Sequence, residues 1–497
     1  MIDISDYMEI FKDSVKEYIL KTEDTTFVGN KINNSISFFG IPYADVDHRF
    51  ASPKKKQLSS IVYAREKENV CPQRGQKDQH QSYRCQFLNI WTREKNKKKP
   101  VLFFVHGGSF MNGSGNMIHY DGMNIVNNMD VVFVNINYRI GPLGFMNFDN
   151  YIEDFNYNCG IEDVIMALEW VYENIENFGG DKENITIYGG SSGGSICSVL
   201  PTIDKAKPYI SKVILSGAIP AAFWDLEKSR EITRNFVAYV ADKYKQNLFY
   251  LSDEKMAEYA YEYIQNNDYG VSTFAPTIDG TLIKDFPISS VHKKDLNKIP
   301  FLIGSTGDEM SILSHKIIMK QWGMDRYINK STQGEDPLLF LQLDKLYEQI
   351  YEKNNATQKY SDMIIRFNLS WYAEELIDYT DVYLYRFDYK AMIPSLIGLD
   401  AYHSTDVTCL FSNYNEGNTR MMDIIPMDKE NLKYINHIVS KDVKKFLYSG
   451  KTNWNKADKD SLRAKVYNVN MDFDEFMPRE IRKLWKKTNF YKDYFKE

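Results

Sequence analysis

Two almost unbroken apolar runs stand out in the first third of the chain, Val101-Leu102-Phe103-Phe104-Val105 and Val131-Val132-Phe133-Val134-Asn135-Ile136. Strands apolar at nearly every position are covered on both faces, as in a parallel sheet layered between helices. Upstream, Phe38 to Tyr43 and Phe87 to Trp91 are further strand-like runs, and Lys97-Lys98-Lys99 reads as a solvated cluster before the next strand. Downstream, Ile161, Val164, Ile165, Leu168, Val171 and Ile175 recur at intervals of three and four, which predicts a helix over Ile161 to Phe178, ended by Gly179-Gly180. Asn184 to Tyr188 and Lys212 to Leu215 are further strands. Strand, helix and strand in this order predict right-handed crossovers and a doubly wound, mostly parallel α/β sheet.

From about Trp224 to Met363 the pattern turns helical and tyrosine-rich, interrupted by a strand over Ile299 to Ile303. No Pro/Gly/Ser linker isolates this stretch, so it reads as a helical insertion over the sheet edge within a single domain spanning residues 1–497. A strand over Asp381 to Tyr389 and helices over Asn436 to Tyr448 and Pro478 to Trp485 close the chain.

Composition narrows the function classes. At 43% hydrophobic and 14% aromatic the chain can bury a large core. Its 61 basic against 67 acidic side chains leave a net charge of −6, with no basic excess to attract nucleic acid. No apolar stretch approaches the roughly 18 residues of a membrane span. The first residues, Met1 to Asp6, carry acids where a secretory signal would carry bases, so a cytoplasmic location is expected, or a secreted one if the chain is a processed form. Five cysteines (Cys71, Cys85, Cys159, Cys197, Cys409) with no CxxC pair predict packed thiols and no metal site. No cofactor is expected.

The candidate chemistry begins at Gly189-Gly190-Ser191-Ser192-Gly193-Gly194, directly after a strand. In a G-x-S-x-G elbow the serine sits on a strained strand-to-helix turn, where glycines are needed on sterical grounds and the hydroxyl is pushed out above the sheet. The spacing fits both Ser191 and Ser192. A phosphate-cradling loop would need a lysine after the last glycine, and Ser195-Ile196-Cys197 has none. After the strand ending at Val105 comes His106-Gly107-Gly108-Ser109-Phe110, a loop able to aim backbone N–H groups at an oxyanion. Gly304 to Glu309 places two adjacent acids, Asp308 and Glu309, at another strand end; position alone does not separate them. Three histidines follow: His315 is too near Glu309 to be oriented by it and still reach the serine, His437 sits in an apolar-periodic helix, and His403 lies in a loop after a strand.

With Gly40-Ile41-Pro42-Tyr43-Ala44, Leu88-Asn89-Ile90-Trp91, Asn137 to Phe145, Ala167 to Asp181 and Pro276 to Gly280, these motifs resemble the type-B carboxylesterase family over nearly the whole chain. That family comprises α/β-hydrolases that include para-nitrobenzyl esterases and cholinesterases. The resemblance implies an α/β-hydrolase fold and a carboxylic ester hydrolase acting through an acyl-enzyme. Its G-E-S-A-G pattern falls on Gly189 to Gly193 and implies Ser191 as nucleophile, with the N–H groups of Gly108, Ser109 and Ser192 as the oxyanion hole. Its D-E-G pattern selects Glu309, with Met310 in place of the glycine. Its H-x-x-[DE] loop falls on His403 and Asp406, and Ser216 resembles the family's buried serine near the acid.

Two departures bear on the substrate. Gly190 stands where cholinesterases carry a carboxylate, and Pro72 to Arg84 lacks the tryptophan that holds a cationic alcohol. Neutral esters with short or medium acyl groups are therefore expected over choline esters. Cys71 and Cys85 match the family's disulfide pair, although reduced thiols are expected without an export signal. Asn112-Gly113-Ser114 is a glycosylation sequon on the oxyanion loop, where a glycan would block the site, and reads as chance. The alternative functions are a non-catalytic binding or adhesion protein on the same fold and a serine peptidase or amidase.

Overall fold

The computed structural model describes residues 15–489 except 77, 95–97, 154, 315–318, 321–322, 352–354, 414–421 and 423. A thirteen-stranded sheet runs through it. Twelve strands form its path: β1 (Lys16–Lys21), β2 (Thr26–Ile32), β3 (Ser35–Pro42), β4 (Phe87–Arg93), β5 (Lys99–Val105), β6 (Val132–Ile136), β7 (Gly180–Gly190), β8 (Lys212–Ser216), β9 (Phe301–Thr306), β10 (Val382–Phe387), β11 (Arg463–Tyr467) and β12 (Asp472–Glu475). Their spatial order is β1-β2-β3-β4-β6-β5-β7-β8-β9-β10-β11-β12, and the short strand Ile61–Tyr63 pairs with β2.

Pairing is antiparallel from β1 to β4 and between β4 and β6. It is parallel from β6 through β5 and β7 to β11, and antiparallel again for β12. Every residue of β5 and β6 is buried. Val101, Phe103 and Val105 of β5 enter the core on one face, whereas Leu102 and Phe104 enter the core on the other. Burying one such side chain contributes about 1.5–3 kcal/mol, which explains why both faces are apolar.

Helix α1 (Cys159–Asn174) buries Ile161, Val164, Ile165, Leu168 and Val171 against the first core. It passes into a 3₁₀ turn, Ile175–Phe178, which Gly179 closes at φ 87°. Helix α2 (Ser192–Val199) follows β7 after the single residue Ser191. Between Trp224 and Met363 lie α3 (Leu226–Tyr244), α4 (Asp253–Ile264), α5 (Pro337–Ile350) and α6 (Asn355–Ser361), with β9 threading the sheet among them. Then come α7 (Phe367–Ile377), α8 (Thr405–Phe411), α9 (Pro426–Ser449) and α10 (Arg479–Trp485).

Three readings are corrected. Lys99 is buried rather than solvated: it opens β5, its stem is covered, and its ammonium reaches the Asp130 carboxylate at 2.9 Å. Lys98 is exposed and pairs with Glu176, and Lys97 lies outside the described residues. Helix α9 starts ten residues before Asn436, at Pro426, because proline at the first helical position begins a helix whose opening turns carry little apolar periodicity. His437, on that helix, is exposed. The strands β11 and β12 were not foreseen, since charged residues alternate along them at the sheet edge. Among the described residues no helix is long and apolar enough to cross a membrane.

Candidate active site

Strand β7 ends at Gly190 and α2 begins at Ser192, so Ser191 must turn the chain within one residue. It does so at φ 56°, ψ −131°, a conformation that costs an L-residue about 1–3 kcal/mol. The strain is held by Ser191 N–H donating to the Ser216 carbonyl at 2.8 Å and by Ser195 N–H donating to the Ser191 carbonyl at 3.0 Å. A side chain at Gly193 would put its Cβ 2.2 Å from the Val105 carbonyl oxygen, so α2 can lie against β5 only through a glycine.

The serine hydroxyl faces His403, whose Nε2 lies 2.8 Å from Ser191 Oγ. The other ring nitrogen, Nδ1, lies 2.5 Å from Glu309 Oε2. Glu309 is fully buried, and its Oε1 accepts the Thr306 N–H at 2.7 Å. The His403 N–H also donates to the Glu309 carbonyl at 3.2 Å, so backbone and side chain of the two residues are joined. Burial disfavours the imidazolium, but the Glu309 charge and hydrogen bond, aided by Asp406, outweigh it and hold the His403 pKa above the ordinary histidine value. The structure thus brings Ser191, His403 and Glu309 into one hydrogen-bonded chain. His315 lies outside the described residues.

Ser192 is placed differently. Its Oγ is buried and has no hydrogen-bond partner among the described residues, and its N–H opens the helix ahead of the α2 ladder. The loop after β5 runs beside the elbow: a Cβ on Gly107 would lie 2.9 Å from Ser191 Cβ. Gly108, Ser109 and Phe110 all have positive φ, and Met111 and Asn112 N–H close the turn onto the Gly108 carbonyl at 3.0 and 2.9 Å. Among the described residues, the N–H groups of Gly108, Ser109 and Ser192 donate to no protein acceptor. His106, buried and stacked on Tyr138 at 4.4 Å, sets its Nδ1 2.8 Å from the Gly107 carbonyl; burial pushes its pKa down to about 4 and keeps it neutral.

Behind the histidine, Ser216 Oγ donates to Asp406 Oδ2, to which the Tyr385 hydroxyl also donates at 2.8 Å. Burial and the Glu309 charge raise the Asp406 pKa against these two donors and the Val407 N–H. Ser216 therefore contacts Asp406, not Glu309. Asp308 faces away from the histidine and takes hydrogen bonds from Ser361 at 2.9 Å and Thr357 at 3.1 Å.

Two contributors escaped sequence reasoning. Gln73 stitches the segment after Cys71 to the oxyanion loop, donating to the Gly113 carbonyl at 2.9 Å and accepting its N–H at 2.7 Å. Tyr385 reaches Asp406 from β10. Neither has a local motif, since both act across long sequence separations. Cys71 and Cys85 form no disulfide and are buried thiols, and Cys159, Cys197 and Cys409 are buried too. Among the described residues no group of three or more His, Cys, Asp or Glu side chains could hold a metal ion.

Comparison with known proteins adds to this geometry. The profile of the carboxylesterase family matches residues 16–483. The chain is 26% identical over 440 residues to the para-nitrobenzyl esterase of Bacillus subtilis (strain 168), covering 85% of this chain and 88% of that protein. It is 26% identical over 305 residues to the acetylcholinesterase of Danio rerio, covering 56% of this chain and 48% of that protein. A crystal structure of a Geobacillus stearothermophilus carboxylesterase aligns with a TM-score of 0.81 at 24% identity, over 94% of this chain and 99% of that one. The structural likeness carries the architecture, which is an α/β-hydrolase fold.

Proposed function

The chain belongs to the carboxylesterase family and is a carboxylic ester hydrolase, and from that premise we propose that it works as a serine esterase through an acyl-enzyme on Ser191. One observation carries the reading: the unbroken hydrogen-bond chain from Ser191 Oγ through His403 to Glu309. Ser191 Oγ attacks the ester carbonyl while His403 Nε2 takes its proton. Glu309 holds the tautomer with Nδ1 protonated and stabilises the imidazolium. The N–H groups of Gly108, Ser109 and Ser192 receive the oxyanion, each being worth about 10²–10³ in rate. His403 returns the proton to the leaving alkoxide, and a water activated by the same imidazole then releases the acid. No metal or cofactor enters these steps.

The preferred substrates are neutral esters of short or medium acyl chain. A side chain at position 190 would place its Cβ 2.9 Å from Val407 Cγ2, so Val407 fills the space a carboxylate there would need. In the segment after Cys71, stitched to the oxyanion loop by Gln73, Arg74 stacks on Tyr261 at 4.5 Å. That segment, Pro72 to Arg84, has no tryptophan to hold a cationic alcohol.

A fluorophosphonate should label Ser191, mapped by peptide mass, with loss of para-nitrophenyl ester turnover. A label elsewhere, or turnover surviving full labelling, contradicts the mechanism. For matched neutral and trimethylammonium esters, kcat/KM should favour the neutral member; the reverse order contradicts the substrate assignment alone.

A further inference from the structure

The two adjacent acids of the loop after β9 face opposite ways. Glu309 meets His403, while Asp308 is held by the helical segment behind it. That segment is one continuous helix with a defect: α6 runs to Ser361, a π-turn spans Asp362–Arg366, and α7 continues from Phe367. The π-turn is closed by Phe367 N–H donating to the Asp362 carbonyl, five residues back. Carbonyls displaced from the ordinary ladder, those of Met363 and Ile364, accept from the Asn368 amide at 3.2 and 2.9 Å.

Three side chains of this segment grip the acid loop. Thr357 and Ser361 donate to the two oxygens of Asp308, and Ser361 Oγ also accepts the Met310 N–H at 2.8 Å. Arg366 donates to the Gly307 carbonyl at 2.7 Å. Glu309 is thus pinned through the residues on both its sides. Thr357 and Ser361 are four apart and share a face in any α-helix. Arg366 is five from Ser361, and at 3.6 residues per turn it would sit roughly 140° round the helix from it. The extra residue of the π-turn brings it back into line, and such turns recur at functional sites.

The grip also holds a buried charge. Arg366 is 1% exposed, lies 3.3 Å from the Asp362 carboxylate, and Asp362 takes the Tyr347 hydroxyl at 2.6 Å. A buried ion pair is often no more stable than an apolar substitute of similar volume, so stability alone gives little reason for it here.

Resting on the esterase reading above, we propose that the π-turn is the positioning device for the acid of the triad, with Ser361 and Arg366 as positioning residues that set where Glu309 meets His403. They touch neither substrate nor imidazole. Their effect passes through the loop Gly307 to Met310, whose displacement would lengthen the Glu309–His403 contact.

The test uses the full chain with Ser361→Ala, Ser361→Thr, Arg366→Met and Glu309→Gln. With a para-nitrophenyl ester, Ser361→Ala and Arg366→Met should lose about 10- to 100-fold in kcat at unchanged KM, the scale of a small misplacement of catalytic groups. The acid limb of kcat/KM should move to lower pH, because His403 is faced by Glu309 from the β9 loop and by Asp406 from α8, and the stronger of these two anions has been loosened. Ser361→Thr, which keeps the hydroxyl, should restore most of both. If Arg366→Met does not fold, the Ser361 pair decides. Folded variants with the wild-type kcat and acid limb, or a Ser361→Thr no better than Ser361→Ala, overturn the inference. A Glu309→Gln with the full wild-type kcat instead overturns the triad reading on which it rests.

Discussion

Ser191 and Ser192 differ by one position and by everything that matters to catalysis. Ser191 Oγ reaches the imidazole, whereas Ser192 offers the site its N–H, which alanine keeps. Ser191→Ala should therefore lose activity on the order of the ~10⁶ found when a triad serine is removed, and Ser192→Ala should be mild. Loss of turnover in Ser192→Ala, with Ser191→Ala active, would mean that the elbow is read one residue out. The proton balance gives a second test. With the His403 pKa held above the usual ~6.5, kcat/KM should fall as pH drops through a midpoint above that value, since the protonated imidazole cannot take the serine proton. In Glu309→Gln the neutral partner no longer favours the imidazolium, so that midpoint should move down; a midpoint that stays put would deny Glu309 its electrostatic share. At this scale the sequence was informative where geometry is local. The elbow glycines, HGGSF and the acid pair are dictated by close backbone approach and can be read in short motifs. The choice between the two serines, and between Asp308 and Glu309, depends on which side chain faces a histidine far along the chain, and only the family resemblance supplied it.

Elements obey the same division between local and distant causes. The apolar runs of β5 and β6 and the stripe of α1 were legible because both are answers to burial. Lys99 was misread because its partner, Asp130, comes from a turn thirty-one residues later. Strands β11 and β12 were missed because edge pairing asks little of side chains. The π-turn was beyond reach too, since nothing in Asp362 to Arg366 marks an extra residue per turn. The stripe of α1 can be tested. Leu168 is fully buried against the first core, so Leu168→Ala should cost about 2–5 kcal/mol in urea unfolding. A loss below about 1 kcal/mol would mean that the α1 contact with the sheet contributes far less than its burial implies.

Across the whole molecule, the site is assembled from the ends of β7 and β9 and the loop following β10, with Ser191 and His403 212 positions apart in sequence and Glu309 and His403 94 apart. The sheet order reverses β5 and β6 and joins strands that are remote in sequence. Contacts of such long range form late, because loop closure must precede any reward from pairing. Turnover is therefore a clock for the final stage of folding. On dilution from denaturant, the far-ultraviolet helical signal should return well before ester hydrolysis does, and a nascent chain should stay inert until His403 has been added and docked. Simultaneous recovery of both signals would show that the strands close in one concerted step.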